Sequence, residues 1–157
     1  MAVLEIAVEP VTSPGALSVI YAALDELARR YGAGADAEHL ELEEMTSPRG
    51  LFVVARDDGH IAGGVGVRTI LAPERHIGEV KRLWVRPDLR RAGVGAALMA
   101  AVVDSARELG FVDLYLETGF RQPEAIAFYP RIGWDAVDKL PDGAHSYPTA
   151  HRFHLAL

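Results

Sequence analysis

The chain has 157 residues, a formal net charge of −6 and no cysteine. This length predicts one compact domain over residues 1–157, with a core large enough to fold without metal or disulfides. The absence of cysteine excludes a disulfide framework, a thiolate nucleophile and cysteine-bound zinc. The negative charge argues against nucleic acid as a partner, because that affinity depends on neutralising many phosphates.

Hydropathy and charge patterning narrow the class further. No apolar run approaches the roughly 20 residues of a membrane-spanning helix, and residues 1–10 lack the features of a signal peptide. We therefore expect a cytoplasmic protein with no membrane partner. Residues 75–91 contain six basic and two acidic residues, a net charge of +4. Such a patch in an acidic protein favours one small anionic ligand over a polyanion.

The N-terminal segment predicts a strand followed by a helix. Residues 4–9 alternate apolar with polar or small residues, which is typical of a short strand. Ser13 is placed to cap a helix and Pro14 to start it, and apolar residues then repeat at helical spacing as far as Gly32. Asp36 can cap a short second helix that ends near residue 45.

The middle of the chain predicts an antiparallel meander. Three segments rich in β-branched and apolar residues follow one another, and a turn signal separates the first two at residues 57–59. The predicted strands are 50–56, 60–71 and 77–85.

After Pro87 the apolar period changes to that of a helix. The apolar stripe begins at Val94 and ends at residues 109–110, and a β-rich segment follows at 111–118. Strand, helix and strand in succession predict a βαβ crossover with two parallel neighbours. Pro123 can open another helix, and residues 152–157 predict a last strand. The fold class is therefore mixed α/β: a central sheet of about six or seven strands, with an antiparallel meander first, flanked by about four helices.

One glycine-containing loop stands between a predicted strand and a predicted helix. Residues 90–96 include Gly93 and Gly95 where a helix begins, so backbone N–H groups lack intrahelical partners and the helix dipole favours an anion. The loop lacks the Gly-Lys-Ser/Thr of a Walker loop and the third glycine of a dinucleotide fingerprint. A tight turn alone would also account for two glycines.

Two motifs together resemble the GNAT superfamily of N-acetyltransferases. The first is Arg90-x-x-Gly93-x-Gly95 after Leu83-Trp84-Val85, similar to the family's Gln/Arg-x-x-Gly-x-Gly/Ala after a strand. The second is Gln122-x-x-Ala125-x-x-x-Tyr129-x-x-x-Gly133-Trp134, similar to Asn-x-x-Ala-x-x-x-Tyr-x-x-x-Gly-Phe. Gln122 and Trp134 depart from the family residues, and Pro130 follows the tyrosine inside the expected helix.

The resemblance implies a GNAT-like fold that uses acetyl-coenzyme A, with no metal. In the family, a bulge parts the central strand from its parallel neighbour, and the pantetheine arm enters between them. The implied cofactor-binding residues are Leu83, Trp84, Val85, Arg90, Arg91, Ala92, Gly93, Val94, Gly95, Ala96, Gln122 and Tyr129.

The resemblance also implies candidate catalytic residues. Glu79 stands eleven residues before Arg90, where histone acetyltransferases of the superfamily carry a glutamate base. A simple ion pair with Lys81 or Arg82 is the alternative reading of Glu79, and Glu117 is the reserve base. Tyr129 corresponds to the tyrosine that can protonate the departing thiolate, unless it is only a packing residue.

The expected reaction is acetyl transfer from acetyl-coenzyme A to a primary amine of a small molecule or protein. Direct attack in a ternary complex follows, since no cysteine can hold an acetyl group. The alternative is a non-catalytic acyl-coenzyme A-binding module for sensing or assembly. Because many relatives form dimers, homodimerisation is compatible with the resemblance.

Overall fold

A computed structural model describes residues 3–32, 42–70 and 75–157. Within these ranges the strands are β1 (Leu4–Glu9), β2 (Gly50–Asp57), β3 (His60–Ile70), β4 (Ile77–Val85), β5 (Asp113–Thr118), β6 (Asp135–Val137) and β7 (His151–Ala156). The α-helices are α1 (Pro14–Tyr31), α2 (Val94–Glu108) and α3 (Pro123–Arg131). Two short 3-10 helices span Leu42–Met45 and Pro87–Leu89.

The strands form one mostly antiparallel sheet in the order β1-β2-β3-β4-β5-β7-β6. Strands β1 to β4 make an antiparallel meander, and β4 pairs in parallel with β5 across the α2 crossover. The mixed α/β class, the meander and the βαβ unit are thus confirmed. The described residues contain three α-helices rather than about four. Most of the helix expected from Asp36 lies outside the described residues, and its end at Leu42–Met45 is a 3-10 turn.

Helix α1 begins and ends where the sequence predicts. The Ser13 hydroxyl accepts a hydrogen bond from the Ala16 N–H at 3.1 Å, and Pro14 occupies the first turn, where a missing N–H costs nothing. Gly32 ends the helix with a φ of +106°, a conformation that favours glycine. The buried residues of α1 pack on one side of the sheet, with Phe52 and Val54 of β2.

Helix α2 covers the opposite side of the sheet. Its buried residues recur at helical spacing and join the larger core cluster. Successive side chains along a strand point to opposite sides of the sheet, so alternate residues of β3 and β5 contribute to this cluster. We call the two sides of the sheet the α1 face and the α2 face. In the three ranges that the structure covers, no helix has both the length and the apolar composition needed to cross a membrane.

Candidate active site

The parallel strands β4 and β5 are paired over only a short stretch and then diverge. They pair only from Ile77 opposite Asp113 to Glu79 opposite Tyr115, although β4 continues to Val85. Beyond that point the two strands leave a space, which we call the β4–β5 gap. A gap between neighbouring strands exposes backbone groups that an extended ligand can bind.

A β-bulge in β4 accompanies this parting. Gly64 and Gly66 are two positions apart on β3. Their partners on β4, Trp84 and Lys81, are three positions apart, so β4 contains one extra residue. Arg82 adopts a φ of +63° at this point, the left-handed conformation that such bulges use. The bulge increases local twist and bends β4, which is the physical reason that it leaves β5.

The end of β4 directs backbone groups into the β4–β5 gap. The Arg86 N–H donates to the Ala62 carbonyl at 2.8 Å, so Arg86 is hydrogen-bonded to β3. Because successive residues in an antiparallel pair alternate, the N–H and C=O of Val85 point away from β3. The side chains of Leu83 and Val85 pack on the α2 face, whereas Trp84 packs on the α1 face.

The glycine loop leads directly into α2 at the end of β4. Gly93 is the N-cap residue with a φ of +88°, and Arg91 has a φ of +67°. The first intrahelical bond runs from the Ala97 N–H to the Gly93 carbonyl at 3.0 Å, so the N–H groups of residues 94–96 have no helical acceptor. A Cβ at Gly93 would meet nothing within 4 Å, which leaves this helix end open to an anion.

Most basic side chains near the loop already have carboxylate partners. Arg90 donates to the Val85 carbonyl at 2.8 Å and to Glu26 of α1 at 2.7 Å, so it ties the loop to its surroundings. Arg86 pairs with Asp88, and Arg75 with Asp113. Glu26 and Asp113 lie outside the 75–91 window and offset part of its +4 charge, so the anion site depends on backbone N–H groups and the exposed Arg91.

Glu79 lies at the last paired position before the β4–β5 gap. Its side chain is 1% exposed, and it faces the α1 face because its neighbour Val80 joins the α2-face core. Glu79 Oε1 accepts from Arg68 Nε at 2.9 Å and lies 2.8 Å from Arg68 Nη2. Glu79 therefore forms an ion pair, as the alternative reading had it, but with Arg68 directly across the β3–β4 pair and not with the two residues named there, Lys81 or Arg82.

Tyr129 of α3 lies on the α2 face of the sheet. It is 6% exposed and belongs to the α2-face core, where its ring contacts Trp134 and Phe153. Burial raises the pKa of the Tyr129 hydroxyl well above its ordinary value, so the phenol stays protonated near neutral pH. Glu79 and Tyr129 thus lie on opposite faces of the sheet.

Helix α3 brings Tyr129 close to the start of α2. The helix continues through Pro130 to Arg131, so the proline near its C-terminal end does not displace the tyrosine from the core. A Cβ at Gly95 would lie 3.6 Å from Phe128 Cζ, which measures how near the two helices come. Gln122 precedes α3 and accepts from the Thr118 hydroxyl at 2.8 Å, which fastens the end of β5 to the helix.

Glu117, the reserve candidate for the base, is hydrogen-bonded to the loop that precedes β7. It accepts hydrogen bonds from the Ser146 hydroxyl, the Tyr147 N–H and Arg152 Nε. Three donors stabilise its carboxylate and fix residues 146–147 over the end of β5. This arrangement favours a role for Glu117 in shaping the α1 face of the gap over a role as base.

The C-terminal end of α1 closes over the same region. The Tyr31 hydroxyl accepts from the Arg121 N–H at 3.0 Å, and Arg30 pairs with Glu124 and donates to the Arg121 carbonyl. Tyr31 packs so tightly on Gly119 that any side chain there would overlap its ring. Neither this contact nor the Arg68–Glu79 pair follows from the local sequence pattern, although a lone arginine in the apolar, glycine-rich β3 is a signal for a buried ion pair.

The described residues fit acetyl-coenzyme A. The Val85 N–H faces the gap, whereas the Val85 carbonyl already accepts from Arg90, and the N–H groups of residues 94–96 offer an anion site at the end of the gap. A pyrophosphate requires such unpaired donors at a helix N-terminus, and an amide-bearing arm requires exposed strand backbone.

Comparison with known proteins agrees with this geometry. The profile of the Acetyltransferase (GNAT) family matches residues 20–134. An IAA acetyltransferase of Azospirillum brasilense is 34% identical over 125 residues, covering 78% of this chain and 79% of that protein.

Two solved structures share the fold. One is an acetyltransferase of the GNAT family from Staphylococcus aureus, with a TM-score of 0.78 and 16% identity over 98% of this chain and 99% of its own. The other is a GNAT family acetyltransferase from Elizabethkingia anophelis with acetyl-CoA bound, with a TM-score of 0.66 and 16% identity over 98% of each chain. With the family profile and the relative above, these findings show that the chain belongs to the GNAT family and is an acetyltransferase.

Proposed function

We propose that the chain binds acetyl-coenzyme A in the β4–β5 gap and transfers the acetyl group to a primary amine that approaches from the α1 face. The observation that carries this proposal is the early end of β4–β5 pairing at Glu79, next to a bulge and an open helix N-terminus. The bound acetyl-CoA in the Elizabethkingia anophelis neighbour supports the choice of co-substrate.

The open end of α2 would hold the pyrophosphate. Three N–H groups point out of the first turn, and Gly93 has no side chain to block their approach. Arg91 is exposed beside them and would add a positive charge, while Arg90 would hold the loop in shape through Val85 and Glu26. When bound, acetyl-coenzyme A supplies an activated acetyl thioester.

Glu79 would take the proton that the amine must lose. A protonated amine has no lone pair for attack, so a carboxylate close to the gap converts it to the nucleophile. The amine nitrogen then forms a bond to the carbonyl carbon and the carbon–sulfur bond breaks. The Val85 N–H points into the gap and would stabilise the negative charge that develops on the carbonyl oxygen.

Tyr129 would supply the proton for the departing thiolate. Its buried hydroxyl remains protonated near neutral pH, as a proton donor requires. As the amide forms, the nitrogen loses a second proton, which returns to the phenol through solvent, while Glu79 releases the first proton to solvent. The net change is amine and acetyl-coenzyme A to acetamide and free coenzyme A, with one proton released for each protonated amine.

Two measurements on the wild-type protein test this function. Isothermal titration calorimetry should detect acetyl-coenzyme A binding, and a thiol-release assay over a panel of primary amines should detect turnover with at least one. Replacing acetyl-coenzyme A by coenzyme A controls for thiol that is not produced by transfer. Tight binding with no turnover on any amine would favour the non-catalytic acyl-coenzyme A-binding module, and no binding would contradict both.

A further inference from the structure

Arg68 of β3 joins two carboxylates on the α1 face of the sheet. Its Nη1 donates to Glu44 Oε2 at 2.7 Å, and its Nε donates to Glu79 Oε1 at 2.9 Å. Arg68 is 8% exposed and Glu79 is 1% exposed. We call these three residues the Arg68 cluster. Two carboxylates and one guanidinium leave the cluster with one net negative charge.

Only one oxygen of Glu79 is used within the cluster. Both Arg68 nitrogens that approach Glu79, Nε and Nη2, contact Oε1. Glu79 Oε2 is buried and has no hydrogen-bond partner. A buried carboxylate oxygen without a donor is costly, because it has lost its water and gained nothing in return. Such an atom next to a gap indicates the place of a missing donor.

Arg68 cannot easily turn to satisfy that second oxygen. Glu44 holds the other side of the guanidinium, so the planar group is fixed between two carboxylates. Glu79 is also the residue at which the pairing with β5 ends, opposite Tyr115. The unpartnered oxygen is therefore held at the beginning of the β4–β5 gap by contacts on both sides of Arg68.

We infer that Arg68 is a positioning residue that holds Glu79 Oε1 and thereby leaves Oε2 to receive the acceptor as an alkylammonium cation. This inference rests on the proposed function and specifies its acceptor class. An ammonium group supplies the missing donor and neutralises the net charge of the cluster. One N–H proton then passes to Oε2, which leaves the nitrogen lone pair free and Glu79 neutral.

A binding measurement independent of turnover tests the pairing. In protein labelled with 13C at the glutamate side-chain carboxyl carbon, the Glu79 resonance is assigned by its loss in Glu79→Gln. Titration with n-butylamine at pH 7.5 should shift this resonance, and 1-butanol, the uncharged analogue, should not. Equal shifts with both probes, or no shift with n-butylamine, would overturn the inference.

Variants then separate positioning from charge. Arg68→Lys keeps the positive charge, but one ammonium cannot hold Oε1 in the same geometry while it holds Glu44, so kcat for the best amine of the panel should fall at least about tenfold without a rise in KM. Glu44→Gln removes one carboxylate of the cluster and one of the contacts that fix Arg68. It should weaken n-butylamine binding by about three- to tenfold and also lower kcat, though by less than Arg68→Lys does. Arg49→Lys, at an exposed position, is the matched control and should retain wild-type constants.

The outcomes separate this inference from the proposed function. Turnover with Arg68→Lys within twofold of wild type would overturn the positioning role and leave acetyl transfer intact. If no amine of the panel turned over but n-butylamine still shifted the Glu79 resonance, the proposed function would fail and the cation site would stand. Thermal unfolding of each variant, measured in parallel, shows whether the fold is retained, and Glu44→Gln tests the charge argument even where Arg68→Lys is unstable.

Discussion

At the scale of single residues, the two candidate catalytic side chains, Glu79 and Tyr129, have different surroundings. Glu79 is buried beside the guanidinium of Arg68, which fixes the orientation of its carboxylate. Tyr129 is buried among aromatic rings, which keeps its hydroxyl neutral. These surroundings suit the roles that we propose for the two side chains, Glu79 as proton acceptor and Tyr129 as proton donor.

Replacing Tyr129 by phenylalanine isolates the hydroxyl from the ring. The ring contacts with Trp134 and Phe153 remain, so we expect little change in the free energy of unfolding. If the hydroxyl protonates the thiolate, kcat should fall by about 10²-fold, the lower end of the range for general acid catalysis. Steady-state thiol release measures this, with thermal unfolding as the control for folding. A Tyr129→Phe enzyme with wild-type kcat would restrict the tyrosine to packing.

The Glu9–Arg56 pair gives a prediction for stability against pH. The hydrogen bond from Arg56 lowers the pKa of Glu9 from its ordinary value of 4.5. Because the folded pKa lies below the unfolded one, the stabilisation is complete above about pH 4.5 and is lost as pH falls through the folded pKa. Glu9→Gln should therefore lower the free energy of unfolding at pH 7, by up to about 1 kcal/mol.

The difference in the free energy of unfolding between wild type and Glu9→Gln should decrease below pH 4.5. Urea unfolding at a series of pH values measures it, with Glu108→Gln, at an exposed position on α2, as the matched control. If the difference in the free energy of unfolding stayed constant down to pH 3, Arg56 would not lower the pKa of Glu9 as described.

At the scale of elements, the local patterns predict what local interactions determine. Ser13 and Pro14 start α1 as predicted, and the strand, loop and helix around Gly93 form as predicted, because caps, glycines and apolar periodicity act within one or two turns. Strand β6 has only three residues and carries too little pattern to be predicted.

Contacts between distant elements could not be predicted in the same way. The Arg68–Glu79 pair depends on the register of β3 against β4, which neither residue determines by itself. The contact of Tyr31 with residues 119–121 joins positions about ninety residues apart in sequence. The sequence motifs located the candidate site, but only the fold shows which charges meet in it.

The loop before α2 tests the element-scale account of the anion site. Gly93 has a φ of +88°, and a valine there is both strained and placed over the open N–H groups. Gly93→Val should weaken acetyl-coenzyme A binding at least about tenfold in calorimetry. Gly95→Ala is the matched control, since its added Cβ would make only ordinary contacts, the nearest at 3.6 Å. A folded Gly93→Val protein with wild-type affinity would contradict the position of the pyrophosphate.

At the scale of the whole molecule, the gap divides the sheet into two parts. Strands β1 to β4 lie on one side of it and β5, β7 and β6 on the other, joined in parallel by three residue pairs alone. The contacts of α1 with the loop after β5, and of Arg90 with α1, connect the two parts around the gap. A ligand that fills the gap should therefore stabilise the whole fold.

The stabilisation by a bound ligand is large enough to measure. A ligand at 100 times its Kd that binds only the folded protein adds about 2.7 kcal/mol to the free energy of unfolding. For a chain of this size that corresponds to a rise in Tm of about 5–10 °C. Differential scanning fluorimetry with acetyl-coenzyme A measures it, and the Gly93→Val protein at the same concentration should show a much smaller rise. Equal rises in both proteins would place the ligand elsewhere.

The central claim is that acetyl-coenzyme A lies in the β4–β5 gap with its thioester between Glu79 and Tyr129. A crystal structure of the complex tests it most directly. The account predicts pantetheine amides hydrogen-bonded to the exposed backbone at the end of β4, the pyrophosphate on the N–H groups of residues 94–96, and the acetyl carbonyl within hydrogen-bond distance of the Val85 N–H. A cofactor bound outside the gap, or a thioester remote from both side chains, would contradict it.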